Sequence, residues 1–165
     1  MKLINLTQGK VALVDDEDYG WLSQYRWTHN SKYAARSVKF NGKRAYMYMH
    51  REIMGLTIDD PREVDHRYNT GKEDYGLDNR RENLRICNTS QNQSNAIIRK
   101  DNKTGYKGVS WHKPLKKWYA QIKYKRISYY LGYFDNIIDA AKAYDKRAWE
   151  LSGEFAFLNF PEDYL

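Results

Sequence analysis

Apolar and polar residues alternate over several short stretches of the first 48 residues, which predicts a segment that is mainly β-structure. Residues 10–14 form one predicted strand. Residues 33–40 and 45–49 predict a hairpin, because the Asn41-Gly42 pair between them is the pair that a type I′ turn prefers. Residues 15–25 begin with acidic side chains and predict a short helix.

A change of pattern near residue 49 opens a second segment, residues 49–100. Its apolar runs and breakers predict two strands joined by a long loop and followed by a helix, which is a ββα unit. The predicted elements are a short helix at 50–54, a strand at 63–67, a loop at 68–76, a strand at 84–87 and a helix from Ser90 to about Lys100.

The polar residues 101–103 form a linker to a third segment, residues 104–161. Three strands are predicted there, followed by a helix whose apolar positions recur every three or four residues and by a tail that packs back on the sheet. These elements are strands at 107–111, 118–124 and 128–133, a helix at 137–151 and the tail at 155–161. The fold class is therefore predicted to be α+β, in three segments.

Charge narrows the choice of partners. The 165 residues carry 28 Lys and Arg against 21 Asp and Glu, a net charge of +7 that suits a polyanion. Residues 103–134 contain eight basic residues and no acidic one. The single cysteine, Cys87, excludes a disulfide framework and a CxxC zinc site. No apolar run approaches the ~18 residues of a membrane span, and the start lacks a signal-peptide pattern, so a cytoplasmic protein is expected.

Candidate chemistry lies in the second segment, where Asp65 and His66 are adjacent at a predicted strand end. Their side chains should point to opposite sides and serve separate purposes. Asp65 can ligate Mg²⁺ or Mn²⁺, which prefer oxygen donors, and His66 can take a proton from water. Asn92 can supply a second oxygen ligand. Asn83 can either hold the loop or bond the far ring nitrogen of His66.

Around these residues the chain resembles the HNH nuclease family, which has the ββα-metal fold. The motifs that carry the resemblance are Asp65-His66, Leu77-Asp78-Asn79-Arg80-Arg81-Glu82-Asn83-Leu84-Arg85 and Ser90-Gln91-Asn92. They are similar to those of phage homing endonucleases, in which an asparagine replaces the final histidine. The resemblance implies one metal ion bound by Asp65 and Asn92, His66 as general base, and Asn83 as the family's middle asparagine.

The same resemblance carries three further expectations. His50 matches a family position ahead of the motif, with a structural or DNA-contacting role. Cleavage would leave a 5′ phosphate and a 3′ hydroxyl. The loop at 67–76 is longer than the glycine-containing loop usual in the family, and additional DNA contacts could come from it.

The third segment resembles the AP2/ERF DNA-binding domain, whose three-stranded sheet lies in the DNA major groove with a helix behind it. The matching stretches are Gly105-Tyr106-Lys107-Gly108-Val109, Trp118-Tyr119-Ala120-Gln121-Ile122, Leu131-Gly132-Tyr133-Phe134-Asp135, Ala140-Ala141-Lys142-Ala143-Tyr144-Asp145 and Leu158-Asn159-Phe160-Pro161.

By family position, one set of side chains would face the groove: Lys107, Ser110, Gln121, Lys123, Ser128 and Tyr130. Period-two alternation places Lys125 on one face with Gln121 and Lys123. Predicted loop residues suited to phosphates are Lys113, Lys116 and Arg126. Trp118 either shares the face of these residues or packs in the core if a bulge intervenes.

Three functions are compatible with these patterns. The first is a site-specific, divalent-metal-dependent homing endonuclease that binds double-stranded DNA, as a monomer or a homodimer, with residues 1–48 as a support or second DNA-binding module. The second is a non-catalytic AP2-like regulator with a decayed HNH core. The third, an RNA-binding module, is weaker, because the chain has no RNP-type aromatic motif.

Overall fold

A computed structural model describes residues 1–68 and 75–164 of the chain. They fall into two compact units, Met1–Thr89 and Ser90–Leu165. The predicted α+β class is confirmed, since the described residues contain ten strands in three sheets and four α-helices. None of the helices in these described ranges combines the length and apolar character that crossing a membrane requires.

The first unit contains a five-stranded sheet with the order β2-β1-β3-β4-β5. Neighbouring strands are antiparallel except β1 and β3, which are parallel. The strands are β1 (Lys2–Thr7), β2 (Val11–Val14), β3 (Trp27–Asn30), β4 (Tyr33–Phe40) and β5 (Lys43–Tyr48). Helix α1 (Asp16–Leu22) joins β2 to β3 and is shorter than predicted.

The predicted hairpin is confirmed as β4 and β5. Asn41 and Gly42 both have positive φ, 48° and 75°, as a type I′ turn requires. Strands β1 and β3 were not predicted individually. β1 does alternate, burying Ile4 and Leu6, but its short run carries little signal on its own.

Three elements of the second predicted segment complete the first unit: helix α2 (Met49–Ile53) and the antiparallel strands β6 (Glu63–His66) and β7 (Leu84–Cys87). Val64 and Leu84 on this two-stranded sheet belong to the same buried cluster as Ile4, Val14 and Trp27 from the N-terminal sheet. The predicted boundary at residue 48 therefore does not separate two hydrophobic cores. Most of the predicted loop at 68–76 lies outside the described residues.

The second unit is an antiparallel sheet backed by a helix. Strands β8 (Val109–His112), β9 (Lys117–Tyr124) and β10 (Ile127–Phe134) have the order β10-β9-β8. Helix α4 (Ile137–Ser152) is capped by Asn136, whose Oδ1 accepts the N–H of Ile138 at 2.8 Å. Helix α3 (Thr89–Ser94) ends well before the predicted Lys100.

The predicted packing of the tail is confirmed by a buried carboxylate on α4. Asp145, fully buried, accepts the backbone N–H of Asn159 at 2.8 Å and that of Phe160 at 2.8 Å. Phe160 packs against one apolar cluster between the sheet and the helix, and Leu158 packs against a second apolar cluster beside it. The tail is thus an integral part of the core of the second unit.

Gly108 holds the start of β8 directly against Tyr144 of α4. Its φ is +76°, and a Cβ placed there would lie 2.0 Å from Cδ2 of Tyr144. Gly105 has the same φ of +76° but has no atom within 4 Å of the corresponding position. The two glycines therefore share a backbone requirement and differ in the space around them.

We expect Gly108→Ala to destabilise the second unit far more than Gly105→Ala. Both substitutions incur the ~1–2 kcal/mol cost of a left-handed backbone, and only Gly108→Ala adds overpacking of about 1–3 kcal/mol. Urea unfolding, followed by tyrosine and tryptophan fluorescence, measures the free energy of unfolding of both variants. Equal losses of unfolding free energy in the two variants would contradict the close approach at Gly108.

Candidate functional site

The candidate catalytic residues of the first unit lie on the hairpin of β6 and β7. Asp65 faces Arg85 across the two strands, and His66 faces Leu84. Asp65 and His66 are both buried, at 5% and 3% exposure. The strand prediction is therefore confirmed, and the two side chains enter different surroundings.

Asp65 forms a buried ion pair. Oδ2 of Asp65 accepts from Nε of Arg85 at 2.9 Å and from Nη2 at 2.7 Å, and Arg85 is itself only 7% exposed. Both donors converge on one carboxylate oxygen. Arg85 was not among the predicted site residues, although the antiparallel register of the hairpin brings it directly opposite Asp65.

His66 belongs to a group of rings that we call the imidazole–tyrosine cluster: Tyr33, Tyr48, His50, His66 and Tyr75. The His66 ring stacks on Tyr33, with centroids 5.6 Å apart and planes at 20°. It meets His50 edge-on at 5.2 Å and Tyr75 edge-on at 6.3 Å. Sequence reasoning missed Tyr33 and Tyr48 because they come from β4 and β5, far along the chain from His66, and it missed Tyr75 because that residue lies across the long loop.

A close approach of two backbones sets the position of Tyr75. A Cβ on the adjacent Gly76 would lie 2.6 Å from the carbonyl oxygen of Lys32 and 2.6 Å from Cδ1 of Tyr33. Only glycine leaves room for this contact. Gly76 therefore brings the end of the long loop against β4 beside the ring of His66.

Both histidines of the cluster favour the neutral state. Burial lowers the pKa of His50 to about 3, with smaller contributions from His66 and Arg51. Burial also lowers the pKa of His66, against the opposing effects of the Asn79 amide and of the Asp65 and Asp78 carboxylates. A neutral imidazole can accept a proton, so His66 is in the state that a general base requires.

Asn83 holds the loop, which was the first of its two predicted roles. Its Oδ1 accepts the backbone N–H of Tyr68 at 2.8 Å, and its Nδ2 donates to the carbonyl of Asp78 at 2.8 Å. The amide whose interaction with His66 raises the pKa of that imidazole is Asn79. Asn79 is fully buried and donates its backbone N–H to Leu13 at 2.8 Å, which fixes its place.

The predicted metal ligands lie in different units. Asp65 is on β6 of the first unit, and Asn92 is half-buried on α3 of the second. Within the described ranges, no three His, Cys, Asp or Glu side chains form a group that could hold a metal ion. The predicted pair consists instead of a carboxylate and an amide, whose oxygens are the donors that Mg²⁺ and Mn²⁺ prefer.

The candidate DNA surface is the face of the β8-β9-β10 sheet opposite α4, called here the outer face. Cross-strand register places Ser110 beside Tyr119, Gln121 beside Tyr130, and Lys123 beside Ser128 on this face. All of these are exposed except Tyr119, which is partly buried. Trp118 instead packs in the core with Val109 and Ala120, which decides between its two predicted places.

Tyrosines provide the apolar part of the outer face. Tyr119 and Tyr130 stack with centroids 5.5 Å apart, and Tyr133 lies 5.6 Å from Tyr130. Tyr119 donates its hydroxyl to Oε1 of Gln121 at 2.8 Å. Tyr119 and Tyr133 were not predicted as site residues, although the alternation of β9 would have placed Tyr119 beside Gln121.

The remaining predicted DNA contacts lie at the ends of the strands, with one departure. Lys113 and Lys116 are exposed in the β8–β9 turn, and Lys125 and Arg126 are exposed in the β9–β10 turn. Lys107 lies off the outer face. Its Nζ donates to the carbonyls of Ser94 and Ala96 at 2.9 and 2.5 Å, so this lysine is held inside the second unit.

We expect the first unit to lose stability as the pH falls from about 6.5 toward 3. The unfolded chain binds a proton at His50 below its ordinary pKa of 6.5, whereas the folded protein does so only near pH 3. Between those values the unfolded state carries more protons, so acid favours unfolding, by an amount on the order of several kcal/mol. Urea unfolding at pH 8, 6, 5 and 4 measures the dependence.

His50→Phe should flatten that dependence, leaving the part due to His66. Nδ1 of His50 is buried and has no hydrogen-bond partner among the residues that the structure describes, so a phenyl ring breaks no bond at that atom. The free energy of unfolding of His50→Phe at pH 8 reports whether the protein tolerates the phenyl ring. An unchanged slope in a variant that is stable at pH 8 would show that His50 does not cause the acid sensitivity.

Comparison of the chain with protein-family models and with solved structures found no match in either. The resemblances to HNH nucleases and to AP2/ERF domains therefore stay predictions, which rest on the residues named above.

Proposed function

We propose that the protein is a divalent-metal-dependent DNA endonuclease of the homing type, in which the first unit supplies the general base and the second unit binds double-stranded DNA. The observation that carries the proposal is the position of His66. Its imidazole is buried at the end of the strand that also presents Asp65, and burial lowers its pKa. The acid-free sequence of the outer face supports the choice of DNA as substrate.

The residues of the first unit have distinct tasks in this proposal. His66 accepts the proton of the attacking water, and the Tyr33 ring, which stacks on the imidazole of His66, helps to orient it. Asn83 keeps the ends of the loop together behind the hairpin. Arg85 holds the carboxylate of Asp65 in place through its bonds to Oδ2.

Asp65, together with Asn92 as the resemblance implies, would hold the metal ion. When bound, such an ion supplies positive charge that stabilises the phosphate and its leaving oxygen. The carboxylate and amide oxygens have the right chemistry for Mg²⁺ or Mn²⁺. The protein's own contribution is to fix the Asp65 carboxylate and the neutral imidazole of His66 on packed strands.

One observation favours the second candidate, a DNA-binding regulator that does not cleave. The charge of Asp65 is balanced by Arg85 within the protein, and neither side chain is exposed beyond 7%. A carboxylate neutralised in this way attracts a cation less strongly. Nicking of supercoiled plasmid with and without Mg²⁺ distinguishes the two functions, because a regulator binds the plasmid and leaves it intact.

Replacing the proposed general base tests the catalytic role directly. We expect His66→Ala to abolish Mg²⁺-dependent nicking while duplex affinity changes less than about threefold, since the outer face belongs to the other unit. His29→Ala, on β3, serves as the matched control and should nick normally. Thermal unfolding of both variants checks that the fold is kept. Nicking by a folded His66→Ala protein would exclude His66 as the base.

The turns of the second unit should contribute phosphate contacts that depend on salt. We expect Arg126→Gln to weaken duplex binding and to reduce the slope of log affinity against log salt by about 1, because one phosphate contact is lost. Lys146→Gln removes the same charge from exposed α4, behind the sheet, and should leave the slope unchanged. Fluorescence anisotropy with a labelled duplex gives both values. An equal effect of the two substitutions would indicate that net charge alone drives binding.

A further inference from the structure

The second unit contains a cavity of about 350 Å³. Neither the proposed catalysis nor DNA binding by the outer face explains it. It lies between α3, the exposed end of β9 and the C-terminal half of α4. The residues on which the argument depends are Ser90, Lys107, Lys123, Lys125, Ser128 and Tyr144. Three of these are lysines, and none of the described residues that line the cavity is acidic.

Lys107 forms the inner wall and is the least solvated of the three cations. Its ammonium donates to two backbone carbonyls and lies 5.1 Å from the centre of the Phe157 ring. Burial lowers its pKa to about 8, against the opposing effect of Asp145. Asp145 itself is committed to the backbone N–H groups of Asn159 and Phe160. Lys107 is half-buried, and a partly desolvated ammonium is favoured by an anion placed beside it.

The edge of β9 adds backbone donors to the same cavity. Pairing with β8 ends where the N–H of Gln121 donates to the carbonyl of Gly108 at 3.0 Å. Lys123 is two residues farther along β9, so its N–H points to the same edge, where the described structure has no further strand. The side chains of Lys123 and Ser128 are exposed at the mouth.

We propose that this cavity binds a phosphate group. Ammonium, hydroxyl and backbone N–H donors approach it from different sides, which suits the several oxygens of a tetrahedral dianion. Its mouth shares Gln121, Lys123 and Ser128 with the outer face. A phosphate of the DNA backbone is therefore the first source to consider, and this choice of source rests on the proposed function. A free phosphate or phosphorylated small molecule has the same chemistry.

Titration of the ¹⁵N-labelled full-length protein with inorganic phosphate, at constant ionic strength against chloride, tests the site without DNA. We expect saturable shifts of the backbone amides of Gly108, Lys123 and Ser128 and no saturation with chloride. The double variant Lys123→Gln/Lys125→Gln should bind phosphate at least tenfold more weakly. Lys107→Met should also bind phosphate at least tenfold more weakly. Thermal unfolding reports whether the Lys107→Met variant is folded.

The double variant Lys100→Gln/Lys146→Gln is the matched control, because it removes the same charge from exposed positions of the second unit that do not line the cavity. It should change phosphate affinity less than twofold. Equal weakening by the two double variants, or the absence of saturable binding, would overturn the proposal. Neither result depends on cleavage or on DNA binding, so failure here is separate from failure of the proposed function.

Adding a short duplex to the phosphate-saturated protein identifies the source. Displacement of phosphate from the three amides assigns the site to the DNA backbone. Simultaneous binding of duplex and phosphate assigns it to a free phosphate or a phosphorylated small molecule.

Discussion

The hairpin of β6 and β7 is too small to stand alone, and this constraint organises the first unit. An isolated pair of strands is marginal in water, and four residues a strand bury little apolar surface. Val64 and Leu84 reach stability only by joining the cluster built from Ile4, Val14 and Trp27. The N-terminal sheet is therefore the support on which the candidate catalytic residues depend. Its β4 also supplies Tyr33, which stacks on His66, and its β5 supplies Tyr48, which stacks on His50.

Charge is treated in opposite ways in the two units. At the candidate site of the first unit, the ionisable groups are buried, so they are either paired, as Asp65 is with Arg85, or kept neutral, as His50 and His66 are. In the second, basic side chains are exposed along one sheet face and its turns, where water and salt screen them. The first arrangement gives fixed geometry for chemistry, and the second gives adjustable attraction to a polyanion.

Local patterns predicted the β4–β5 hairpin of the first unit and the three strands and helix α4 of the second, because strand alternation, the Asn-Gly turn and helical spacing are properties of short stretches. The strand that carries Asp65 and His66 was predictable for the same reason. The residues that surround Asp65 and His66 could not be predicted in this way. Arg85, Asn79 and Tyr33 reach the site through strand register and tertiary packing, which no single stretch encodes. Lys107 fits the basic pattern of its neighbours, yet the carbonyls at the end of the short helix α3 hold its ammonium inside the unit.

The ion pairs of Arg81 connect distant parts of the chain and bear on how the protein is made. Arg81 donates to both carboxylate oxygens of Asp18, at 2.7 and 2.8 Å, and its backbone N–H donates to Asp15. Asp18 is 2% exposed, so helix α1 contains a buried charge that stays unpaired until residues beyond 80 are available. During synthesis, the N-terminal sheet leaves the ribosome before its counter-charge and before Leu84. The first unit can therefore complete its core only after Leu84 has been synthesised, and a ribosome that stalls before residue 81 would leave its strand edges open to other chains.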